Sequence, residues 1–372
     1  MEENKTDLTG KTLLYDPMFD PKMKEAAEKR GKNTKMKILF IIVILCFIGL
    51  SLYFSFTSLA QDKFEYKTTD DGLVQLYQFN GGEQDTVLRI DCLTDENGDN
   101  PDESQPVSEV RQWAVTCNEY LRFISIGKDV KEISGKSFYS CKNLFGIFVE
   151  EGNERYRVID GVLYELENGA PVKALLCPAK RGYAMLAVQL GAPEPQTADD
   201  AEAFLSYVEA HKDEIDAAYS DEDADHNEKP AEEKFRFTVD FPDTVTTIGE
   251  LCFAYCERLR SADLHEGITD VETMGFFRCE QMETLDLPAT LERIGSDAFS
   301  YSKSLHYIFI PKSVIKIGHH AFFGSAAPEI HMEASKEEVK ANVDLGNSWT
   351  PKVKKVVYVK VPVLYSQVKE AA

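Results

Sequence analysis

Phe253, Phe276, Phe299 and Phe322 lie 23 residues apart without slippage. A short fixed period of this kind confines the chain to stacked coils, because each unit buries its apolar face against the next copy rather than within itself. Other columns keep the same step. They run Val239, Ala262, Leu285, Ile308; Phe241, Leu264, Leu287, Ile310; Val245, Ile268, Leu291, Val314; and Ile248, Val271, Ile294, Ile317. Leu259, Met282 and Leu305 close the units. Upstream, Ile124, Ile126, Val130, Ile133, Phe138, Cys141 and Leu144 fit the frame, with Phe138 five whole periods before Phe253. A weaker copy, Val107, Val110, Val115 and Leu121, precedes them. Its strand half is predicted at Val87 to Cys92, split off by a loop from Thr94 to Gln105.

Each unit has two halves. The first reads Leu-x-x-Leu-x-Leu, as in Leu305, Ile308 and Ile310, and its last apolar positions alternate as a half-buried strand requires. The second reads Val-x-x-Ile-Gly-x-x-Ala-Phe, as in Val314, Ile317, Gly318, Ala321 and Phe322. Stacking at the ~4.8 Å strand spacing predicts a spine of phenylalanines inside. Pro288 and Pro311 follow the strand half, where a missing N–H does least harm.

This pattern resembles the BspA-like leucine-rich repeats of bacterial surface proteins. The residues that carry the likeness are Leu285-Asp286-Leu287-Pro288, Leu291, Ile294-Gly295, Ala298-Phe299 and the stretch Leu305 to Phe323. A second hallmark is the island Asn153, Tyr156, Asp160-Gly161-Val162-Leu163-Tyr164 and Leu175 to Pro178. The resemblance implies an irregular coil there, a surface-exposed solenoid, a role in adhesion or protein binding, and no catalytic residues.

Ile38 to Leu59 is a run of 22 residues without charge, long enough to span a bilayer. Lys22, Lys24, Lys29, Arg30, Lys32, Lys35 and Lys37 crowd its N-terminal flank, which places the N-terminus in the cytoplasm and the repeats outside. The rival is a cleaved signal peptide ending near Ser58-Leu59-Ala60, but this apolar run and its leader are longer than signal peptides need. The whole chain carries 63 acidic against 41 basic residues, a formal charge of −22. So acidic a chain disfavours nucleic acid and anionic lipid as partners.

The expected organisation is therefore a cytoplasmic tail (1–37), a transmembrane helix (38–59), N-terminal leucine-rich repeats with the island (70–183), an insertion (184–234), four regular repeats (235–328) and a C-terminal cap (329–372). Within the insertion, Ala201 to Tyr219 reads as one helix with Phe204, Leu205, Val208, Ile215 and Tyr219 on a stripe, started by a capping-box-like Thr197 and Asp200. An acidic run, Ser220 to Lys234, follows. The insertion is either a lid or docking arm, or decoration packed on the solenoid; the stripe favours decoration, since it needs a surface to cover. After Phe323 the period fails. Glu329 to Met332 is expected as a last strand, Glu333 to Ala341 as a short helix and Val353 to Val363 as a capping strand or hairpin.

No catalytic residues, metal ligands or cofactor motif emerge. The cysteines are spread over separate coils rather than set at zinc-ligand spacing, and His319-His320 point apart. Cys141, Cys256 and Cys279 share one column with Ser302, which predicts a small half-buried slot with reduced cysteines. Binding is expected on the outward side of the strand half. One column there reads Asp240, Asp263, Asp286 and then Phe309; another reads Arg260, Glu283, His306; a third ends in Tyr307. Stacked aspartates repel, which suggests a basic partner or cation, unless Arg260 relieves them. Tyr307 and Phe309 are aromatic anchors for a protein, unless they pack on the cap. The chain thus reads as a membrane-anchored solenoid binding an extracellular protein or glycan. An envelope scaffold and a sensor acting through the cytoplasmic tail are the alternatives.

Overall fold

The computed structural model describes residues 62–95, 97–219, 236–327, 329–349 and 355–359. All belong to one compact unit that spans Asp62–Ala372. The tail and span expected at 1–59, and the acidic run, lie outside the described residues. Among the described residues no helix is long and apolar enough to cross a membrane.

The phenylalanine spine is present. Phe253, Phe276, Phe299 and Phe322 are at most 1% exposed, and successive rings stack within 8° of parallel at 5.0, 5.4 and 5.4 Å. The leucine, isoleucine and valine columns close around them in one continuous core.

The strand halves form two short sheets rather than one ladder. Phe237–Asp240 pairs in parallel with Leu259–Asp263. Ile308–Ile310 pairs with Glu329–Met332, and that strand with Lys355–Tyr358. Residues 282–288 between them belong to no sheet, although Leu285 and Leu287 stay buried. The continuous ladder runs instead through the isoleucine column. Thr247–Ile248, Asp270–Val271, Arg293–Ile294, Lys316–Ile317 and Asp344–Leu345 pair in parallel, in that order. Two-residue strands show no alternation, so hydrophobic periodicity does not flag them.

The Ile-Gly pair has a steric cause. A Cβ on Gly295 would lie 2.4 Å from the Glu272 carbonyl carbon, and one on Gly318 would lie 2.3 Å from the Ser296 nitrogen. Glycine there lets one coil's backbone settle against the previous one. The corners use left-handed backbone at fixed positions: Leu251, Met274, Asp297 and His320 form one row, and Tyr255, Arg278, Tyr301 and Gly324 another.

The N-terminal block repeats the plan with Val87–Ile90, Phe123–Ile126 and Gly146–Val149 in parallel. The island is an antiparallel meander of Tyr156–Ile159, Val162–Glu167 and Ala170–Leu176. Its turns, Asp160-Gly161 and Asn168-Gly169, hold both residues at positive φ, as tight hairpins favour. Ala170–Leu176 then pairs in parallel with Thr247–Ile248 and joins the island to the regular coils.

The insertion departs from expectation. It holds three helices, Arg181–Gln189, Ala201–Ala210 and Lys212–Tyr219, rather than one. The break at His211 turns the last helix back, so that Tyr219 meets the Tyr183 ring at 5.1 Å and Asp216 accepts a 2.9 Å hydrogen bond from the Tyr183 hydroxyl. The expected capping-box-like start is half formed, since Asp200 accepts from the Thr197 amide but the Thr197 side chain does not accept in return. Asp200 also accepts from the Gln196 amide and the Thr197 hydroxyl, tying down the preceding turn. Phe204 sets its ring edge-on to Phe123 and Phe145 at 5.7 and 5.9 Å. The helices thus cover the outward face of the N-terminal sheet, which is decoration in the sense expected.

After Phe323 the chain adds one longer coil instead of ending. The strand Glu329–Met332 is followed by the helix Lys336–Asn342, which opens on a capping box of Ser335 and Glu338. Phe322 donates its amide to the Trp349 carbonyl at 3.2 Å, and Trp349 packs half-buried against the core of the regular coils.

Candidate functional site

The helices leave the outward strand face of the regular coils as the place to look. Asp240 and Asp263 sit opposite one another in the parallel pair and are exposed. Asp286, also exposed, lies in the stretch that joins no sheet. The gap therefore falls where a third carboxylate would enter the column.

Arg260 pairs with Glu283. Its Nε donates to Glu283 at 3.2 Å, and Arg236 donates to the same carboxylate. Partial burial pushes the Glu283 carboxyl up, but the hydrogen bonds and charges of Arg236 and Arg260 outweigh it and hold it below the ordinary glutamate range. Among the described residues the side chains of Asp240, Asp263 and Asp286 form no ion pair.

The opposite ladder behaves differently. Arg293 grips Asp270 through two hydrogen bonds and also reaches Glu292 at 2.8 Å. Lys173 pairs with Glu272 at 2.7 Å and Lys136 with Glu250 at 2.8 Å. One face of the solenoid neutralises its carboxylates and the other leaves a column of them open.

Tyr307 and Phe309 stand beside that column, half-buried. Tyr307 packs on His331 of the following coil at 5.0 Å between rings, and Phe309 is in register with the same residue. Burial raises the Tyr307 hydroxyl above its usual value, and the Asp286 charge adds to this. The aromatic pair thus belongs partly to the cap and partly to the acidic column. His306 is exposed at the edge. His265 serves the fold: its Nδ1 accepts from the Gly267 amide at 2.9 Å, and its Nε2 reaches the Pro242 carbonyl at 3.0 Å.

A second aromatic row escaped the 23-residue reading. Tyr255, Phe277, Tyr301 and Phe323 pack edge to face at 5.5, 5.7 and 5.4 Å along the corners, half-buried. The rings alternate between two adjacent columns, so no single column shows them. A period of two coils would have found the row. Arg278 lies over Tyr301 at 4.9 Å and Lys142 over Tyr255 at 4.3 Å.

The shared cysteine column is reduced, and every described cysteine is free. Cys279 donates to the Phe253 carbonyl at 3.2 Å, and Cys141 to the Val115 carbonyl at 3.6 Å. These thiols therefore tie coil to coil. Ser302 in the same column is fully buried, and its hydroxyl has no hydrogen-bond partner among the described residues. Among the described residues no cluster has the make-up of a metal site.

Comparison with known proteins agrees with the repeat. The model of the BspA type leucine rich repeat region matches six copies, in residues 101–157 and 234–343. Among solved structures, a leucine rich cell surface protein of Faecalibacterium prausnitzii is 17% identical with a TM-score of 0.35, over 80% of this chain and 53% of its own. This chain thus spans about half the length of that protein. The pneumococcal vaccine antigen PcpA is 12% identical with a TM-score of 0.38, over 81% of this chain and 98% of its own. A leucine-rich repeat protein of Bacteroides ovatus is 18% identical with a TM-score of 0.32, over 81% and 70%. At these values the likenesses say nothing about ligands. No curated protein matches the sequence. By its six repeat copies, the chain carries BspA-type leucine-rich repeats.

Proposed function

We propose that the chain is a single-pass membrane protein, anchored by Ile38 to Leu59, that displays its repeats outside the cell and binds an extracellular protein. The observation that carries the reading is the open column of Asp240, Asp263 and Asp286, set beside a chain that pairs its carboxylates elsewhere. Like charges in register destabilise a sheet. Their retention next to the half-buried Tyr307 and Phe309 suits a partner that offers lysine or arginine to the carboxylates and an apolar edge to the rings. The repeats support a binding role.

The test uses the full-length chain and a panel of immobilised extracellular proteins of differing charge. Saturable binding to basic members should weaken as salt rises and should fall at least ~10-fold in Asp240→Asn/Asp263→Asn/Asp286→Asn. The same variant should be slightly more stable than the parent. Binding that survives the triple change puts the site elsewhere. The lack of any saturable partner favours the scaffold, and binding confined to glycans moves the ligand to that class.

A further inference from the structure

The junction between the island and the regular coils holds a pair of thiols that the binding role does not use. Cys177 ends the island and Cys256 sits in the first regular coil, 79 residues on. Both are at most 1% exposed. Cys256 Sγ donates toward the Cys177 and Pro178 carbonyls, each at 3.8 Å, and Cys177 Sγ lies 3.9 Å from the same Pro178 carbonyl. These contacts bring the two cysteines together across the junction.

A cation lies beside them. The Arg181 guanidinium, at the start of the first insertion helix, approaches Cys177 closely enough to favour its thiolate. Its Nη1 is buried and has no hydrogen-bond partner among the described residues. A deprotonated Cys177 would supply the missing acceptor. Gly161 permits this placement, since a Cβ there would come within 2.8 Å of Arg181 Nε.

Cys177 differs from the other buried cysteines. Burial pushes Cys92 up to about 11 and Cys141 up to about 12, and it holds Cys252, Cys256 and Cys279 far above the usual thiol value. Burial acts on Cys177 too, but the neighbouring Cys256 and the Arg181 charge outweigh it and draw that thiol downward. A cation and a second thiol beside a cysteine favour its oxidation.

Access selects the oxidant. Cys177 lines a cleft of about 40 Å³ at the junction, together with Cys141, Leu144, Leu251, Ala254 and Tyr255. That volume admits a few water-sized molecules and excludes a peptide thiol or disulfide.

We infer that Cys177 and Cys256 form a peroxide-responsive dithiol, in which Cys177 is the attacking thiolate and Cys256 the resolving thiol. Cys177 Sγ attacks one oxygen of a small hydroperoxide, and the O–O bond breaks. A sulfenic acid forms on Cys177, and the leaving hydroxide takes up the proton released by the thiol and departs as water. Cys256 Sγ then attacks the Cys177 sulfur. The S–O bond breaks, and the second hydroxide leaves as water with the Cys256 proton. Two thiols lose two electrons to the peroxide, and the disulfide clamps the island to the first regular coil across the whole insertion.

The test treats the purified full-length chain with hydrogen peroxide, alkylates the remaining thiols and maps peptides without reduction. The expected product is a linked Cys177–Cys256 peptide. In Cys256→Ser, a dimedone adduct should accumulate on Cys177. Arg181→Met should slow disulfide formation at least ~10-fold, because a unit of thiol pKa is tenfold in thiolate. Its far-UV circular dichroism should match the parent. Oxidation confined to the exposed Cys117, linkage of Cys177 to Cys252 instead, or an unchanged rate in a folded Arg181→Met would each overturn the proposal. The parent's peptide map decides the pairing even if a serine variant fails to fold.

Discussion

Phe276→Ala removes the middle of the spine. The ring is fully buried and is stacked on Phe253 at 5.0 Å and on Phe299 at 5.4 Å. Truncating a buried phenylalanine costs about 3–5 kcal/mol through lost transfer energy and the cavity left behind. Each lost ring pair is part of that sum, at about 0.5–1.5 kcal/mol. Because a solenoid is held by neighbour contacts, the loss weakens two coil interfaces together. Among the described residues Phe322 has a spine ring on one side only, so Phe322→Ala should cost less, by about one ring pair. Phe309→Ala, at a half-buried position, should cost less still. The assay is chemical denaturation of residues 62–372 followed by circular dichroism, with the three variants compared under one buffer. A loss below about 1.5 kcal/mol for Phe276→Ala, or an order that places Phe309→Ala first, would refute a stacked phenylalanine core.

Four further outcomes follow from particular contacts. Gly318→Ala should destabilise by about 1–3 kcal/mol in the same assay, since its Cβ would meet the Ser296 nitrogen at 2.3 Å. Ser302→Cys should raise stability by about 1 kcal/mol, because it replaces a buried unpartnered hydroxyl with the thiol its column uses elsewhere. Cys117→Gly should also stabilise, by about 0.5–1 kcal/mol, since that exposed residue holds a φ of 50°. For pH, the folded-state value of Glu283 is depressed, so its contribution is present above the ordinary glutamate range and is lost as pH falls through the lower folded value. Glu283→Gln should therefore narrow the gap in unfolding midpoint between neutral and acid pH, and an unchanged gap would mean the two arginines do not stabilise that carboxylate.

The spine, the leucine columns and the repeat boundaries were legible because each recurs in one column at a constant step. The acidic column and its aromatic neighbours could be named for the same reason. What the step does not carry is pairing within a coil. Thr247–Ile248 and its successors are too short to alternate, and Glu283 to Leu287 carries the residue pattern of a strand yet joins no sheet. The edge-to-face row of Tyr255, Phe277, Tyr301 and Phe323 alternates columns and so hides from a one-coil period. Contacts across long separations were out of reach altogether. Cys177 meets Cys256 only because the island meander folds back onto the first regular coil. The split at His211 depends on where Tyr183 and Asp216 can meet, which helical periodicity does not encode.

Presentation of the repeats outside the cell is tested most directly by protease shaving of intact cells that express the full chain. Blots against both ends should show the repeat block lost and a short N-terminal stub protected. Full protection of the repeats, with digestion only after lysis, would contradict the display topology and with it the binding role proposed for the acidic face.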